Sequence, residues 1–152
     1  MTKQYLEDFF AGQVFSSARL RVDKAQIIAF AKEFDPQPFH LDENAARQSV
    51  FGGLVASGWH TAALTMRLVV DGEFNPADGV LGVGFDELRW PRPVRPGDQL
   101  YAKSEVLEVR PSKSRPDRGL IRLRTTTFNQ NDEVVLIYTG NLLVPRRPSD
   151  RL

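Results

Sequence analysis

Apolar residues recur at helical spacing in two parts of the chain. The first run begins after Asp23, whose carboxylate is suited to cap a helix, and continues until Pro36 interrupts the pattern. Its apolar positions are Ile27, Ile28, Phe30, Ala31 and Phe34. The spacing predicts a helix that ends near Phe34 and buries one face.

The second helical run, Gly58 to Val70, is the most apolar part of the chain and has little polar face. Its apolar residues are Trp59, Ala62, Ala63, Leu64, Met66, Leu68, Val69 and Val70. A helix of this composition needs protein on most sides. We therefore expect the rest of the fold to envelop it almost completely.

The segment between the two helices contains Pro36 and Pro38. Each proline fixes its own φ and disfavours helix at the residue before it, so residues 35–40 are expected to form an ordered, partly extended loop. A short helical turn from Glu43 to Gln48 is expected next, with Asp42 as its N-cap.

After the turn-rich residues 71–79, the apolar pattern changes to a period of two. Leu81, Val83 and Phe85 alternate with other residues, and the alternation resumes one position out of phase after Asp86-Glu87. The shift predicts a β-bulge, at which the strand bends. An earlier strand is expected from Val14 to Val22.

Three further strands are predicted near Leu100–Val109, Gly119–Asn129 and Glu133–Val144. The order of elements is typical of an α+β fold in which a bent antiparallel sheet wraps around the apolar helix. A single sheet of this kind exposes an edge and part of a face, so a homodimer, or a multiple of dimers, is the expected assembly.

The composition narrows the possible classes of function. The 152 residues suffice for one domain, expected over residues 1–145, with a flexible tail at 146–152. The 20 basic and 19 acidic residues give a net charge of +1, which provides no general attraction for nucleic acid or a membrane surface. With no cysteine and two histidines, a transition-metal site is not expected. Neither a signal peptide nor a membrane span is recognisable, and a cytoplasmic location is expected.

Asp35 and His40 are the first candidates for chemistry. Asp35 stands where the first helix should end, near the negative end of the helix dipole, which disfavours a carboxylate. Each residue also has a structural interpretation, because Asp35 can be solvated or cap the loop and His40 can be a hydrogen-bonded structural histidine. The two side chains meet only if the loop between them folds back.

Ser57-Gly58 opens the apolar helix, where unpaired backbone N–H groups and the helix dipole favour negative charge. Such a site could hold an oxyanion without a charged side chain. Alternatively, Ser57 is an N-cap and Gly58 a packing residue. His60, on the same apolar helix, is interpreted as a core or interface residue.

Three segments of the chain together resemble a known family. They are Asp35-Pro36-Gln37-Pro38-Phe39-His40-Leu41-Asp42, then Phe51-Gly52-Gly53-Leu54-Val55-Ala56-Ser57-Gly58, and then Pro93-Val94-Arg95-Pro96-Gly97-Asp98. In this order they resemble the MaoC-like acyl dehydratases, the (R)-specific enoyl-CoA hydratase branch of the hotdog fold. The resemblance extends over roughly residues 8–144.

The resemblance implies a site for hydration of 2-enoyl thioesters or dehydration of 3-hydroxyacyl thioesters. Asp35 and His40 match the catalytic pair of the family, and the amide of Gly58 matches its oxyanion donor. Two positions depart from the usual pattern: Gln37 stands where the family usually has asparagine, and Ser57 where it usually has histidine.

The expected substrate is an acyl-CoA, with no metal or separate cofactor. The expected substrate-binding residues are Gln37, Phe39, Gly53, Ser57, Trp59, Arg115 and Arg118. The two arginines belong to a basic stretch, residues 110–124, that could meet the phosphates of coenzyme A or could be a solvated hairpin. A hotdog thioesterase and a non-catalytic acyl-CoA-binding module are the alternative functions.

Overall fold

The computed structural model describes residues 2–150. Its helices are α1 (Lys24–Phe34), α2 (Pro38–Leu41), α3 (Glu43–Arg47) and α4 (Gly58–Val70). Side chains cap three of them as the sequence indicates, because Asp23, Asp42 and Ser57 each accept a hydrogen bond from an N–H of the first turn. The two long helices and their N-terminal boundaries are confirmed.

Helix α2 corrects the expectation of a partly extended loop over residues 35–40. Pro38 stands at the first helical position, where its missing N–H costs nothing and its fixed φ suits the helix. Because a helical turn advances about 1.5 Å per residue, compared with about 3 Å for extended chain, α2 shortens the path from Asp35 to His40.

The strands are β1 (Val14–Ser16), β2 (Leu20–Arg21), β3 (Leu81–Arg89), β4 (Gln99–Pro111), β5 (Arg118–Phe128) and β6 (Val134–Pro145). They form one antiparallel sheet in the order β1-β4-β5-β6-β3, and β2 also pairs with β4. The strand expected from Val14 to Val22 is therefore two short strands rather than one.

The predicted irregularity in β3 is present. The register of β3 against β6 shifts between Phe85 and Glu87, and a second shift lies between Gly82 and Gly84. Each bulge increases the local bend of the strand. The predicted α+β architecture, an antiparallel sheet packed around a central helix, is confirmed.

Within residues 2–150, the chain does not envelop helix α4, contrary to expectation. Its buried side includes Thr61 and Thr65, and the Thr65 hydroxyl bonds both the carbonyl of Thr61 and the hydroxyl of Thr127 on β5. Because threonines take up part of this buried side, several apolar side chains of the helix lie on its outer side. Trp59, Met66 and Val70 are exposed there.

The two ends of the described chain lie together. Arg146 donates to Glu7 at 2.8 Å, and the backbone N–H of Arg147 donates to the same carboxylate at 2.7 Å. The first residues of the expected tail thus contact the N-terminal turn at Leu6–Asp8. Residues 151 and 152 lie outside the described part, and the division into a domain and a flexible tail stays a prediction.

No helix in residues 2–150 is both long and apolar enough to cross a membrane.

Candidate active site

The structure brings Asp35 and His40 together. Asp35 is the residue that ends α1, and α2 turns His40 back towards it, so that Nε2 of His40 lies 3.4 Å from Oδ2 of Asp35. His40 is buried, whereas the Asp35 side chain keeps 21% of its surface exposed. A carboxylate and an imidazole thus meet at the edge of a solvent-accessible space.

The carbonyl of Val55 fixes the orientation of the His40 ring. It lies 2.7 Å from Nδ1. Because a carbonyl oxygen only accepts, Nδ1 carries the proton of the neutral ring, and the lone pair of Nε2 points towards Asp35. In that state both Nε2 and the Asp35 carboxylate accept hydrogen bonds.

Ser57 lies behind Asp35. Its hydroxyl donates to Oδ2 of Asp35 at 2.7 Å and accepts the N–H of Trp59 at 3.2 Å, and the residue is fully buried. Sequence reasoning placed Ser57 among the substrate-binding residues, but a buried hydroxyl occupied by a neighbouring carboxylate has no surface for direct contact with a substrate.

Gly58 lies against Trp90. The indole Nε1 of Trp90 donates to the Gly58 carbonyl at 2.8 Å, and a Cβ added at position 58 would lie 2.8 Å from a ring carbon of Trp90. Within residues 2–150, the N–H of Gly58 donates to no acceptor, as is usual at a helix N-terminus. Glycine therefore leaves this amide accessible beneath the indole.

A cleft of about 450 Å³ joins these groups. Asp35, His40 and Gly58 line it, together with an aromatic wall. The aromatic residues of the wall are Phe39, Phe51, Trp59 and Trp90. Of the expected substrate-binding residues, Phe39 and Trp59 therefore face the cleft.

Gln37 and Gly53 are not part of the cleft lining. Gln37 is exposed at the N-cap of α2, where its backbone carbonyl accepts the N–H of His40. Gly53 lies beside the guanidinium of Arg95. Both residues therefore belong to the loops that support the cleft rather than to its surface.

Arg115 and Arg118 also lie away from the cleft of their own chain. Both are next to Asp117, and Arg118 pairs with Pro145 at the end of the sheet where β3 begins. The cleft lies beyond the other end of β3, about 26 Å away along its nine residues. Within one chain these arginines cannot reach a small group bound at Asp35.

Sequence reasoning missed Trp90, Phe51, Thr61 and Arg92, which also line the cleft. Arg92 forms an ion pair with Glu133 at 3.3 Å and is more than half exposed. The signal that could have identified this wall is Trp90-Pro91-Arg92-Pro93, because prolines after an aromatic residue hold the chain extended at the end of a strand.

A family model and a solved structure each match most of this chain. The family model "MaoC like domain" matches residues 10–127. The crystal structure of the MaoC-like dehydratase from Rhodospirillum rubrum shares 56% identity with a TM-score of 0.92, covering 95% of this chain and 99% of that one.

Two curated proteins with named activities are also similar. The 3-hydroxybutyryl-CoA dehydratase of Methylorubrum extorquens is 31% identical over 94% of this chain and 85% of its own length. The (R)-specific enoyl-CoA hydratase of Rhodospirillum rubrum is 30% identical over 94% of this chain and 93% of its own length. The fold, the matched segments and these relatives together show that the chain belongs to the MaoC-like family of hotdog-fold dehydratases and hydratases.

Proposed function

We propose that this protein hydrates 2-enoyl-CoA thioesters to (R)-3-hydroxyacyl-CoA and catalyses the reverse dehydration. The observation that supports this most strongly is the meeting of Asp35, His40 and the free amide of Gly58 in one cleft. The named activities of the relatives agree with this chemistry.

The arrangement suits the activation of one water molecule. With Nδ1–H of His40 bonded to Val55, Nε2 and the Asp35 carboxylate are two acceptors for the two protons of a water. As the water oxygen bonds to the β-carbon, Asp35 takes one proton, and the π electrons of the double bond move towards the α-carbon and the thioester. The same proton then goes to the α-carbon, so that one water is added in total.

The negative charge of this reaction develops on the thioester oxygen. The N–H of Gly58 at the positive end of α4 is positioned to stabilise it. Coenzyme A takes part in the proposed reaction as the thiol portion of the substrate. Because the reaction adds or removes only water, it needs no separate cofactor or metal.

Arginines near the cleft are candidates for the phosphates of coenzyme A. Arg92 lines the cleft, and Arg95 holds the carbonyl of Phe51 at 2.7 Å. Guanidinium groups bind phosphate with two parallel hydrogen bonds, which makes these residues better candidates within one chain than Arg115 and Arg118.

The assembly we propose is a homodimer, or a multiple of dimers, formed through β3. Among the strands of residues 2–150, β3 pairs only with β6, so its outer edge is unpaired there. Leu81, Val83 and Phe85 are 55%, 55% and 58% exposed, and no charged residue interrupts them. A long apolar edge is prone to aggregation unless another chain covers it, and a second copy can pair with it antiparallel.

Antiparallel pairing of two β3 strands would place the start of one beside the end of the other. The end of the sheet that carries Arg118 would then approach the cleft of the second copy. This geometry keeps Arg115 and Arg118 as candidates for contacts with coenzyme A across the interface.

The test is to incubate the purified protein with enoyl-CoAs of several chain lengths and to follow enoyl absorbance and free thiol in parallel. Loss of absorbance without thiol, with the (R)-alcohol as product, supports the proposal. Thiol release without hydration would support the thioesterase alternative, and binding without either reaction would support a non-catalytic module.

The expected cytoplasmic location stays a prediction.

A further inference from the structure

Asp35 is held by a residue that does not line the cleft. Within residues 2–150, its Oδ2 accepts a 2.7 Å hydrogen bond from the Ser57 hydroxyl and lies 3.4 Å from Nε2 of His40, whereas Oδ1 has no hydrogen-bonding partner. One oxygen of the carboxylate is therefore anchored, and the other is left without a partner in a side chain that lines the cleft.

Ser57 does more than cap α4. A serine N-cap needs only to accept an N–H of the first turn, which Ser57 does for Trp59. Its hydroxyl proton is then available, and it goes to Asp35, 22 residues earlier in the chain. The same oxygen thus links the end of α1 to the start of α4, where the Gly58 amide lies.

We propose that Ser57 is a positioning residue that orients Asp35 relative to the Gly58 amide, so that Oδ1 is the oxygen that exchanges the proton with water. This inference rests on the proposed hydration activity. Ser57 acts through Asp35 and touches no substrate, because it is fully buried behind the carboxylate.

Substitution of Ser57 tests the proposal. Ser57→Ala should lower kcat about 10- to 100-fold, the range expected for losing a hydrogen bond to a charged group, with little change in KM. Ser57→Gly should behave alike, because glycine caps a helix almost as well as serine but has no hydroxyl. Ser57→Thr keeps the hydroxyl and should retain most of the wild-type kcat.

Two further variants separate positioning from general stability. Asp23→Ala removes the side-chain cap at the N-terminus of α1, the opposite end of that helix from Asp35, and should lower Tm while leaving kcat unchanged. In an Asp35→Asn background, Ser57→Ala should cause little additional loss of kcat, because its partner is already altered.

The proposal is overturned if Ser57→Ala and Ser57→Gly retain wild-type kcat in a protein that hydrates enoyl-CoA. It is also overturned if the losses from Ser57→Ala and Asp35→Asn are independent, because Ser57 would then act elsewhere. Wild-type protein that hydrates no enoyl-CoA would instead overturn the proposed function, and this inference with it.

Discussion

At the scale of single residues, Gly58 is where packing and proposed chemistry constrain one another most closely. The Trp90 indole covers the residue and donates a hydrogen bond to its carbonyl, so the residue that follows β3 is joined to the first turn of α4. Any larger side chain must move the indole or the helix terminus. The accessible amide therefore depends on the absence of a Cβ.

Gly58→Ala should consequently reduce kcat strongly, because the new methyl group displaces Trp90 or tilts the Gly58 amide away from the cleft. Trp90→Ala creates space for the methyl group and should make the additional Gly58→Ala substitution much less harmful than it is in the wild type. Steady-state kinetics of the two single variants and the double variant measure this coupling. Equal effects of Gly58→Ala in both backgrounds would contradict the steric explanation.

His60 is a second residue with a measurable consequence. It is buried on α4, its ring stacks on Phe30 with centroids 4.8 Å apart, and its Nδ1 has no hydrogen-bond partner in the described structure. Burial lowers the pKa of the imidazole below its ordinary value. The position agrees with the sequence interpretation of a core or interface histidine.

Because the folded state resists protonation of His60, stability should fall as the pH drops through about 6.5, where the histidine of the unfolded chain takes up a proton. His60→Phe keeps the stacking on Phe30 and removes the titratable group. Its Tm should exceed that of the wild type by more at pH 5.5 than at pH 8. A difference in Tm that does not change with pH would show that protonation of His60 has no part in stability.

At the scale of elements, the long helices and the strands after residue 80 could be predicted because hydrophobic periodicity and caps act locally. Helix α2 could not be, because two nearby prolines fit both an extended loop and a first helical turn. The sequence indicated Asp35 and His40 as candidates. Their 3.4 Å approach depends on α2 and on the Val55 carbonyl, a contact across 15 residues that no spacing reveals.

Another contact joins parts of the chain that are distant in sequence, the turn at Leu6–Asp8 and the segment after β6. Burial raises the pKa of Glu7, but hydrogen bonds from Arg146 and from the backbone of Arg147 outweigh it and hold that pKa below its ordinary value. The N–H of Tyr5, helped by Arg147, lowers the pKa of Asp8 in the same way.

A lowered carboxylate pKa contributes stability above the pKa of the unfolded chain and loses it as the pH falls. We therefore expect the turn at Leu6–Asp8 and the segment after β6 to separate below about pH 4. Hydrogen exchange of the backbone amides at residues 5–9 should increase there before exchange in β5 does. Simultaneous loss of protection in both regions would contradict a local role of these ion pairs.

At the scale of the whole molecule, the exposed side of α4 is the feature that the hydrophobic pattern alone misjudged, whereas an exposed edge of the sheet is what the sequence predicts. The pattern predicts that protein covers Gly58 to Val70 on most sides, but it could not show that residues 2–150 leave Trp59, Met66 and Val70 exposed. Arg115 and Arg118 illustrate the same difficulty, because proximity to a site depends on assembly as well as on sequence.

Val83→Asp should disrupt the proposed dimer by placing a charge on the unpaired edge of β3. Val14→Asp is the matched control, since both valines are 55% exposed but Val14 lies on β1 at the opposite edge of the sheet. Light scattering should give a mass of 17.1 kDa for Val83→Asp and at least twice that for the control. A monomeric wild-type protein with full activity would contradict the proposed assembly.

The most direct test of the central claim is the rate of enoyl-CoA hydration by Asp35→Asn and His40→Ala compared with the wild type. A positioned acid or base contributes about 10² to 10⁴ in rate, so each variant should lose kcat by that factor while keeping its Tm within a few degrees and still binding acyl-CoA. Wild-type turnover in a folded Asp35→Asn protein would contradict the assignment of this cleft as the hydration site.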